Sequence, residues 1–300
     1  MPLRPTIARF IDSQTSLPLN ATELQGPSRR LLKARHHDID KMDIQTKSLT
    51  ATLQSKAIKF TVYKVQICST ARFANSVKWT IVKRYSEFFS FRHTLLKHME
   101  KWDRQFCDDA RRLLCKELTL AKALLLPALQ IPEFPRKHLR CDTDIIVRER
   151  RKKLQQFVRE MLDAYADISV FIYDTQLRNT RTVSSLSEAL HMLEEFLQFP
   201  PQQKEVNRCQ TAAVLALEDV GPEDIASSIA TDHSCCICLR EYDCKEEAYG
   251  TSVDSMVKLP CSHHFHEDCI IHWFNTSTTC PLCRKLAFAE VQRSFAVRIE

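Results

Sequence analysis

The sequence predicts an α+β protein with two folded parts, and three observations lead to this prediction. Residues 59–85 are rich in β-branched and aromatic side chains, as β-strands are. Residues 88–199 repeatedly place apolar side chains three or four positions apart, which is typical of amphipathic helices. The C-terminal part concentrates cysteine and histidine in a short stretch. With 300 residues, of which 44% are hydrophobic, the chain is long enough for two domains.

The cysteine content limits the class of protein. The chain has 13 cysteines, but its opening residues "MPLRPTIARF" contain no apolar signal-peptide core. No run of apolar residues reaches the ~18 that a membrane-spanning helix needs. We therefore expect a cytoplasmic protein in a reducing compartment, where clustered cysteines bind metal more often than they form disulfides.

The charge is unevenly distributed along the chain. The formal net charge of +6 combines +3 for residues 1–55, +9 for residues 56–199 and −6 for residues 200–300. A basic domain suggests an anionic partner, such as a phospholipid headgroup or nucleic acid, although scattered solvated charge is the alternative. We expect no nucleic acid, because aromatic and basic residues do not alternate on a recognisable sheet surface.

The predicted strands follow a polar N-terminal region. Residues 1–55 mix Pro, Ser, Gln, Thr and charged residues, so we expect them to be mostly disordered, with a short helix within "SRRLLKARHHDIDKM". The segments "KFTVYKVQIC" and "VKWTIVKRY" then predict two antiparallel strands, and the second alternates Val77, Trp79 and Ile81. These segments form the sheet of the α+β prediction.

Helices follow the predicted strands. Apolar spacing predicts four of them, over residues of about 88–99, 108–126, 144–165 and 184–199. Prolines at 127, 132 and 135 favour an extended path between the second and third helices. Residues 200–231 are polar and are interpreted as a linker, with at most a weak helix at "TAAVLALED".

Eight potential metal ligands form four pairs near the C-terminus. The pairs are Cys235 and Cys238, Cys261 and His263, His266 and Cys269, and Cys280 and Cys283. Members of a pair are so close in sequence that a tight turn points both side chains at one ion. Eight sulfur and nitrogen ligands suffice for two closed tetrahedral sites, so we predict two Zn2+ ions. Four residues fall outside this pattern and are interpreted as surface or packing residues: Cys236, Cys244, His264 and His272.

These residues resemble a RING finger of the two-histidine type, over residues of about 234–286. The resemblance implies a cross-brace, in which the first and third pairs bind one ion and the second and fourth pairs bind the other. It implies a ubiquitin ligase that binds ubiquitin and a ubiquitin-conjugating enzyme and acts on an unknown protein substrate. With every paired cysteine on zinc, the chain would form no covalent intermediate and would act by orientation. The gap from Cys238 to Cys261 is longer than is common in this family.

Four further residues match contact positions of the RING family. Ile237, Trp273 and Pro281 correspond to the shallow apolar groove for the conjugating enzyme, and Trp273 is the strongest candidate among them. Arg284 matches the linchpin arginine, whose planar guanidinium bridges ubiquitin and the conjugating enzyme. The alternative is that the three apolar residues only pack the small domain and that Arg284 is an ordinary surface arginine.

The basic region resembles a phox-homology (PX) domain over residues of about 56–199. Three segments carry the resemblance, namely "VKRYSEF", "FPRK" and "RERRKKLQQFV", in the order and spacing of that family. The resemblance implies a three-stranded antiparallel sheet with a helical subdomain that binds phosphoinositides. By position, Arg84 would bind the 3-phosphate, Tyr85 would lie under the inositol ring, Lys137 would meet the 1-phosphate and Arg150 would reach the ring hydroxyls. Solvated cations on a basic face are the alternative.

The two resemblances together imply a RING-type ubiquitin ligase that phosphatidylinositol 3-phosphate recruits peripherally to endosomal membranes. The alternative is a zinc-containing, phosphoinositide-binding scaffold or trafficking adaptor without ligase activity. The expected organisation is a disordered region, a PX-like domain, a linker, a RING finger and a tail. Their expected boundaries are 1–55, 56–199, 200–231, 232–288 and 289–300.

Overall fold

The structure of the chain is a computed structural model. It describes residues 26–53, 58–69, 77–113, 134–138, 142–174, 181–220, 234–240 and 255–289. Several predictions lie outside the described residues: those for residues 1–25, the turn after the first predicted strand, part of the helix over 108–126, residues 221–231, the loop before Cys261 and the tail from 290. Within the described residues, no helix is both long enough and apolar enough to cross a membrane.

A three-stranded antiparallel sheet forms one wall of the larger core. Its strands are β1 (Met42–Leu53), β2 (Ile58–Ser69) and β3 (Lys78–Arg84), in the order β1-β2-β3. In the register, Ile44 lies opposite Ile67, and Val65 lies opposite Ile81. All four are buried, because alternate side chains of each strand face the same side of the sheet. The outward-facing residues between them are mostly polar.

Strand β1 corrects the expectation that residues 1–55 are mostly disordered. It pairs with β2 along its whole length, from Met42 opposite Ser69 to Leu53 opposite Ile58. Its inward positions include Thr46, which is buried although it is polar. Because the alternation of large apolar residues is weak here, the segment reads as polar in sequence. The first strand of the family's three-stranded sheet therefore begins before the expected boundary at residue 56.

Three helices cover the inner face of this sheet. They are α2 (Tyr85–Leu113), α3 (Asp144–Asp174) and α4 (Arg181–Leu197). Phe88 and Phe91 of α2 meet Phe157 of α3 and Phe196 of α4, and the rings of Phe91 and Phe196 stack at 3.8 Å between centroids. Trp79 of β3 donates its Nε1–H to the carbonyl of Leu197 at 3.0 Å. Apolar spacing predicted these helices, but α2 runs unbroken from the first predicted helix (88–99) into the second (108–126), and α3 continues past the predicted end at 165. The fold is α+β as expected.

The short helix expected near the N-terminus is present as α1 (Pro27–Asp40). Proline at the first helical position suits a helix start, since its missing N–H needs no partner there. The buried side of α1 is mixed in polarity and includes Arg30, Leu31, Ala34 and Asp38. Residues 27–53 are therefore ordered, and buried charged groups explain why their composition suggested disorder.

The region expected to be a linker is partly helical. Helix α5 (Pro201–Leu215) begins directly after Pro200, and its buried side carries the polar residues Gln203, Asn207 and Gln210. The sequence favoured at most a weak helix at 211–219, because these buried positions are polar. Polar burial is stable when each group finds a hydrogen-bond partner, and composition alone does not show that.

The smaller domain combines a second sheet with one helix. Strands β4 (Glu218–Asp219), β5 (Met256–Lys258) and β6 (His264–His266) pair antiparallel in that order and precede α6 (Glu267–Phe274). Its core joins Val257, Phe265, Ile270 and Phe274 to residues of other elements, including Leu31 and Ala34 of α1 and Val214 of α5. The small domain thus shares its core with α1 and α5.

Candidate functional site

The first pair of predicted ligands lies on a tight turn. The N–H of Leu239 donates to the carbonyl of Cys235 at 2.7 Å, and the N–H of Cys235 donates to the carbonyl of Arg240 at 2.9 Å. These bonds fold the chain so that Cys235 and Cys238 face one point. Leu239 completes the turn with a left-handed φ of 60°, which is uncommon for a residue with a side chain.

The last pair of ligands repeats this turn. The N–H of Arg284 donates to the carbonyl of Cys280 at 3.0 Å, and the N–H of Cys280 donates to the carbonyl of Lys285 at 2.8 Å. Arg284 has the same left-handed φ of 60° that Leu239 has in the first turn. The two Cys-x2-Cys segments are therefore the same local structure, and backbone hydrogen bonds build both.

The eight predicted ligands lie in two groups of four. In each group the ligand atoms all lie within 4.8 Å of one another. The groups are Cys235, Cys238, His266 and Cys269, and Cys261, His263, Cys280 and Cys283. This is the interleaved arrangement that the cross-brace requires, since each group takes one pair from each half of the segment.

The distances within the groups fit a small tetrahedral ion. The Nδ1 of His266 lies 3.3 Å from the Sγ of Cys238, and the Nδ1 of His263 lies 3.3 Å from the Sγ of Cys261 and 3.6 Å from that of Cys280. A tetrahedron with metal–sulfur bonds of about 2.3 Å and metal–nitrogen bonds of about 2.0 Å has sulfur–nitrogen edges of about 3.5 Å. Thiol and imidazole ligands in this arrangement are those that zinc prefers.

The thiols of the first group influence one another. Burial raises the pKa of Cys269, and the neighbouring Cys235 and Cys238 raise it further. Burial also acts to raise the pKa of Cys238, but hydrogen bonds from the backbone of Arg240 and from His266 outweigh it, so the pKa of Cys238 is lowered. The cluster by itself therefore favours partial ionisation. A divalent cation would allow all its thiols to ionise together, as metal ligands must.

The three residues predicted to contact a conjugating enzyme are partly exposed. Ile237 lies within the first turn, Pro281 within the last, and Trp273 on α6, where its Nε1–H donates to the carbonyl of Thr279 at 2.7 Å. Sequence reasoning missed the apolar residues beside them, which are Leu239 (79% exposed), Leu282 (52%) and Leu286 (60%). Their positions next to the ligand turns could have indicated them. Exposed leucines at these turns extend the candidate contact surface.

The predicted lipid-binding residues surround three aromatic rings, which we call the headgroup patch: Tyr85, Phe89 and Phe134. The ring centroids lie 5.9 to 6.4 Å apart. The Arg150 guanidinium lies 4.0 Å from the centroid of Tyr85, and the Lys137 ammonium lies 5.7 Å from that of Phe89. The structure thus brings Tyr85, Lys137 and Arg150 to one place, although they are far apart in sequence.

Two of these residues also have partners within the fold. The hydroxyl of Tyr85 donates to the carbonyl of Pro135 at 2.7 Å, which holds Pro135 against the start of α2. Arg150 is only 4% exposed, and its Nη1 lies 2.5 Å from a carboxylate oxygen of Asp142. Burial raises the pKa of Tyr85, against the effect of the nearby cation Arg150. Both side chains are therefore fixed in position by the protein itself.

Arg84 stands slightly apart from the patch. Its guanidinium lies 3.7 Å from the centroid of Phe60 on β2, and the side chain is exposed. Its backbone N–H donates to the Glu87 carboxylate at 2.7 Å, which satisfies a free amide at the start of α2. Arg84 therefore directly precedes Tyr85 of the patch in sequence, and its exposed guanidinium packs on Phe60.

Arg92 is a cation of the patch that the sequence did not indicate. Its guanidinium lies 5.2 Å from the centroid of Phe134, and its charge reaches Tyr85. Its Nε is buried and has no hydrogen-bond partner among the described residues. It lies two turns after Tyr85 on α2, so helical spacing from Tyr85 was a usable signal. A buried, unsatisfied guanidinium nitrogen is costly unless a ligand completes its bonds.

Comparison with known families matches both regions. Residues 71–169 match the family described as "PX domain", and residues 233–284 match the family described as "Ring finger domain". The first match begins after β2, so it covers only part of the sheet. No solved structure matches the chain.

Curated relatives match a short part of the chain. E3 ubiquitin-protein ligase RNF181 of Mus musculus is 33% identical over 72 residues, which are 24% of this chain and 39% of that protein. Probable E3 ubiquitin-protein ligase RHA4A of Arabidopsis thaliana is 46% identical over 54 residues, 18% of this chain and 26% of that protein. E3 ubiquitin-protein ligase Iruka of Drosophila melanogaster is 43% identical over 51 residues, 17% of this chain and 11% of that protein. The matches thus span well under half of each relative. The two family matches and the two interleaved ligand groups show that the chain carries a PX domain followed by a RING finger of the two-histidine type.

Proposed function

We propose that the protein is a RING-type E3 ubiquitin ligase that binds phosphoinositide membranes. One observation carries the proposal: two complete Cys/His groups hold an exposed apolar surface in the same chain as an aromatic patch surrounded by cations. The relatives named as ubiquitin ligases support the first part, and the PX match supports the second. The proposed function, ubiquitin ligation at a membrane, thus requires both domains.

The two Cys/His groups would bind two Zn2+ ions as structural ligands. Bound zinc supplies cross-links that hold a domain too small to fold on its apolar core alone. The thiols in these groups would then serve as anchors. The chemistry of transfer would belong to the thioester of the conjugating enzyme, which this protein would hold in a reactive orientation.

The RING surface would bind the conjugating enzyme through Ile237, Trp273 and Pro281. Large aromatic side chains on a rigid scaffold often dominate such interfaces, which favours Trp273 as the main contact. Arg284 is exposed and follows the last ligand, so its guanidinium would donate to ubiquitin and to the conjugating enzyme together. The exposed Leu282 would widen the apolar contact.

The headgroup patch would bind a phosphoinositide, with the 3-phosphate preferred. Arg84 would contact that phosphate, Lys137 the 1-phosphate and Arg150 the ring hydroxyls, with the inositol ring over Tyr85. We add Arg92, because its buried Nε needs an acceptor and a phosphate oxygen provides one. The protein would then work in the cytoplasm, recruited peripherally to endosomal membranes that carry this lipid.

Ubiquitin transfer on liposomes tests both parts of the proposal. The full chain would be assayed with a panel of conjugating enzymes on vesicles with and without phosphatidylinositol 3-phosphate. We expect transfer in solution and faster modification of vesicle-bound substrate when the lipid is present, since tethering raises the local concentration. Zinc-loaded protein that is inactive with the whole panel would support a binding scaffold instead. Equal binding to both kinds of vesicle would refute the lipid assignment.

A further inference from the structure

Helix α1 is attached to the PX domain by its C-terminal half. The Nε2 of His36 lies 2.7 Å from a carboxylate oxygen of Asp167 on α3. Arg159, also on α3, donates to the carbonyls of Ile39 and Met42 at 3.0 and 2.7 Å. Because β1 follows α1 after one residue, these bonds fix the helix both to α3 and to the first strand of the sheet.

The N-terminal half of α1 is attached to the RING finger. Arg30 donates its Nε–H to the Glu267 carboxylate at 2.9 Å, and both side chains are only 3% exposed. Arg29 donates to the other oxygen of Glu267 at 2.7 Å, and the Ser255 hydroxyl donates to the first at 3.2 Å. Arg30 also pairs with Asp219 of β4. Glu267 is therefore a buried carboxylate whose charge is neutralised from α1.

The position of Glu267 links this ion pair to the first ligand group. Glu267 is the first residue of α6, follows the ligand His266 and precedes the ligand Cys269 by two positions. Its N–H donates to the carbonyl of Ser255 at 2.8 Å, next to β5. Any shift of Glu267 would therefore move its neighbours in sequence, the ligands His266 of β6 and Cys269 of α6.

A second set of hydrogen bonds joins helix α5 to the C-terminal end of α6 and to α1. Asn275, which is 1% exposed, accepts a hydrogen bond from Gln210 of α5 at 2.6 Å. Arg35 of α1 donates to the carbonyl of Asn207 at 3.0 Å and to the Thr211 hydroxyl at 2.7 Å. Helices α1, α5 and α6 thus form one polar, hydrogen-bonded junction between the domains.

The junction leaves the candidate enzyme-binding surface uncovered. On α6, the residues that contact α1 include Glu267, Asp268 and His272. With a rotation of about 100° per residue, the Trp273 side chain points roughly opposite to the mean direction of these three side chains around the helix axis. The ion pairs and the apolar surface therefore occupy different sides of α6.

We propose that α1 is a structural part of the RING finger and that Arg30 is a positioning residue for the first metal group. Through α1, the RING finger is held in a fixed orientation on the PX domain with its apolar surface facing outwards. The part of this inference that concerns the metal rests on the proposed zinc binding. The orientation rests on the contacts of α1, together with the hydrogen bond between Gln210 of α5 and Asn275. Residues 27–40 thereby couple the two domains, a role that neither family match includes.

Substitution of Arg30 in the full chain tests the inference. The variants are Arg30→Met, the double variant Arg30→Met with Glu267→Met, and Arg151→Ala, an exposed arginine of α3 outside the junction, as control. Two readouts are measured: the rate of zinc transfer to a chromophoric chelator, and amide hydrogen exchange of residues 27–40 and 255–289. We expect Arg30→Met to release zinc about tenfold faster and to expose both segments to exchange.

The double variant separates the ion pair from a general loss of folding. Removing Arg30 leaves the buried Glu267 carboxylate with the partly exposed Arg29 as its counterion, whereas replacing both Arg30 and Glu267 with apolar side chains removes the buried charge altogether. We therefore expect Arg30→Met with Glu267→Met to retain zinc and protection better than Arg30→Met alone. Unchanged zinc release and exchange in Arg30→Met would overturn the inference. A wild-type protein inactive in ubiquitin transfer would refute only the proposed function, since neither readout uses transfer.

Discussion

The ligand groups of the RING finger and the headgroup patch of the PX domain are built in opposite ways. Four of the eight ligands lie on two short turns whose backbone bonds join neighbours in sequence, such as Leu239 and Cys235, and the other four also form pairs close in sequence. The patch joins α2, the segment at Phe134 and α3, so Tyr85 and Arg150 meet only in the complete fold. The ligands of a metal group can therefore be recognised from their spacing in the sequence. The residues of a surface patch come together only when the domain packs, so their spacing does not reveal them.

This difference predicts how each site responds to the loss of one side chain. Loss of one ligand removes a cross-link of the small domain, whose apolar core is smaller than the core of the PX domain. Loss of one cation from the patch leaves a large core of aromatic and aliphatic residues intact. Substitutions should accordingly unfold the first site, whereas at the second site they should impair lipid binding and leave the fold intact. The following predictions test this contrast.

The largest expected effect comes from a metal ligand. Cys280→Ser should remove one zinc equivalent and expose residues 255–289 to hydrogen exchange, while β1 to β3 keep their protection. The reason is that structural zinc contributes on the order of 10 kcal/mol to a small domain. The matched control is Cys236→Ser, since Cys236 is exposed and lies outside both groups. Elemental analysis and exchange measure the effect, and full zinc content in Cys280→Ser would contradict it.

The next effect concerns the apolar surface of the RING finger. Trp273→Ala should weaken binding of the conjugating enzyme by about 2 kcal/mol or more, roughly 30-fold, because buried aromatic anchors dominate such interfaces. Arg284→Ala should leave this binding largely unchanged and slow the transfer of ubiquitin. Calorimetry and single-turnover transfer separate the two outcomes. Zinc content serves as the control for folding, and equal loss of binding in both variants would argue against distinct roles.

Substitutions at the headgroup patch should have a smaller effect on folding. Arg84→Ala should abolish measurable binding to vesicles with phosphatidylinositol 3-phosphate. Arg92→Gln should weaken it by about 1.5 kcal/mol, roughly tenfold, through loss of a charge-assisted hydrogen bond. The control is Arg104→Gln, an exposed arginine further along α2. Vesicle pelleting and thermal unfolding are the measurements. Unchanged affinity in Arg92→Gln would remove that residue from the site, and unchanged affinity in Arg84→Ala would refute the site itself.

The smallest effect is a pH dependence of the α1 attachment. Burial acts to lower the pKa of His36, but hydrogen bonds with Asp163 and Asp167 outweigh it and raise the pKa to about 10 from 6.5. The protonated form is therefore favoured in the folded protein. Its contribution to stability is complete below pH 6.5 and is lost as the pH rises through about 10.

His36→Gln isolates this contribution from other titrating groups. Between neutral pH and pH 10, the melting temperature of the wild type should fall more than that of His36→Gln, because only the wild type loses a proton at this position. Calorimetric scans across this pH range provide the comparison. Parallel curves for the two proteins would show that His36 makes no pH-dependent contribution.

The sequence predicted the parts of the molecule whose signals are local. Ligand spacing indicated all eight residues of the two groups, and apolar periodicity indicated α2, α3 and α4. It indicated α1 as a short helix but did not indicate its burial, nor β1 and α5 clearly, because the buried positions of these elements include Arg30, Thr46 and Gln210. Polar residues are stable there only through partners distant in the chain. The cations of the patch were partly predicted, and Arg92 was missed because its unsatisfied nitrogen is a property of packing.

The two Cys-x2-Cys turns have one consequence for how the RING finger can vary. Leu239 and Arg284 share a left-handed backbone, which costs a residue with a side chain roughly 1 kcal/mol compared with glycine. Bound metal contributes about ten times that amount, so the fold tolerates either side chain at this point of the turn. Each turn therefore presents one replaceable side chain, Leu239 or Arg284, on a rigid backbone. Substitutions at these two positions during evolution would change which partner the domain binds and leave the zinc-binding fold unchanged.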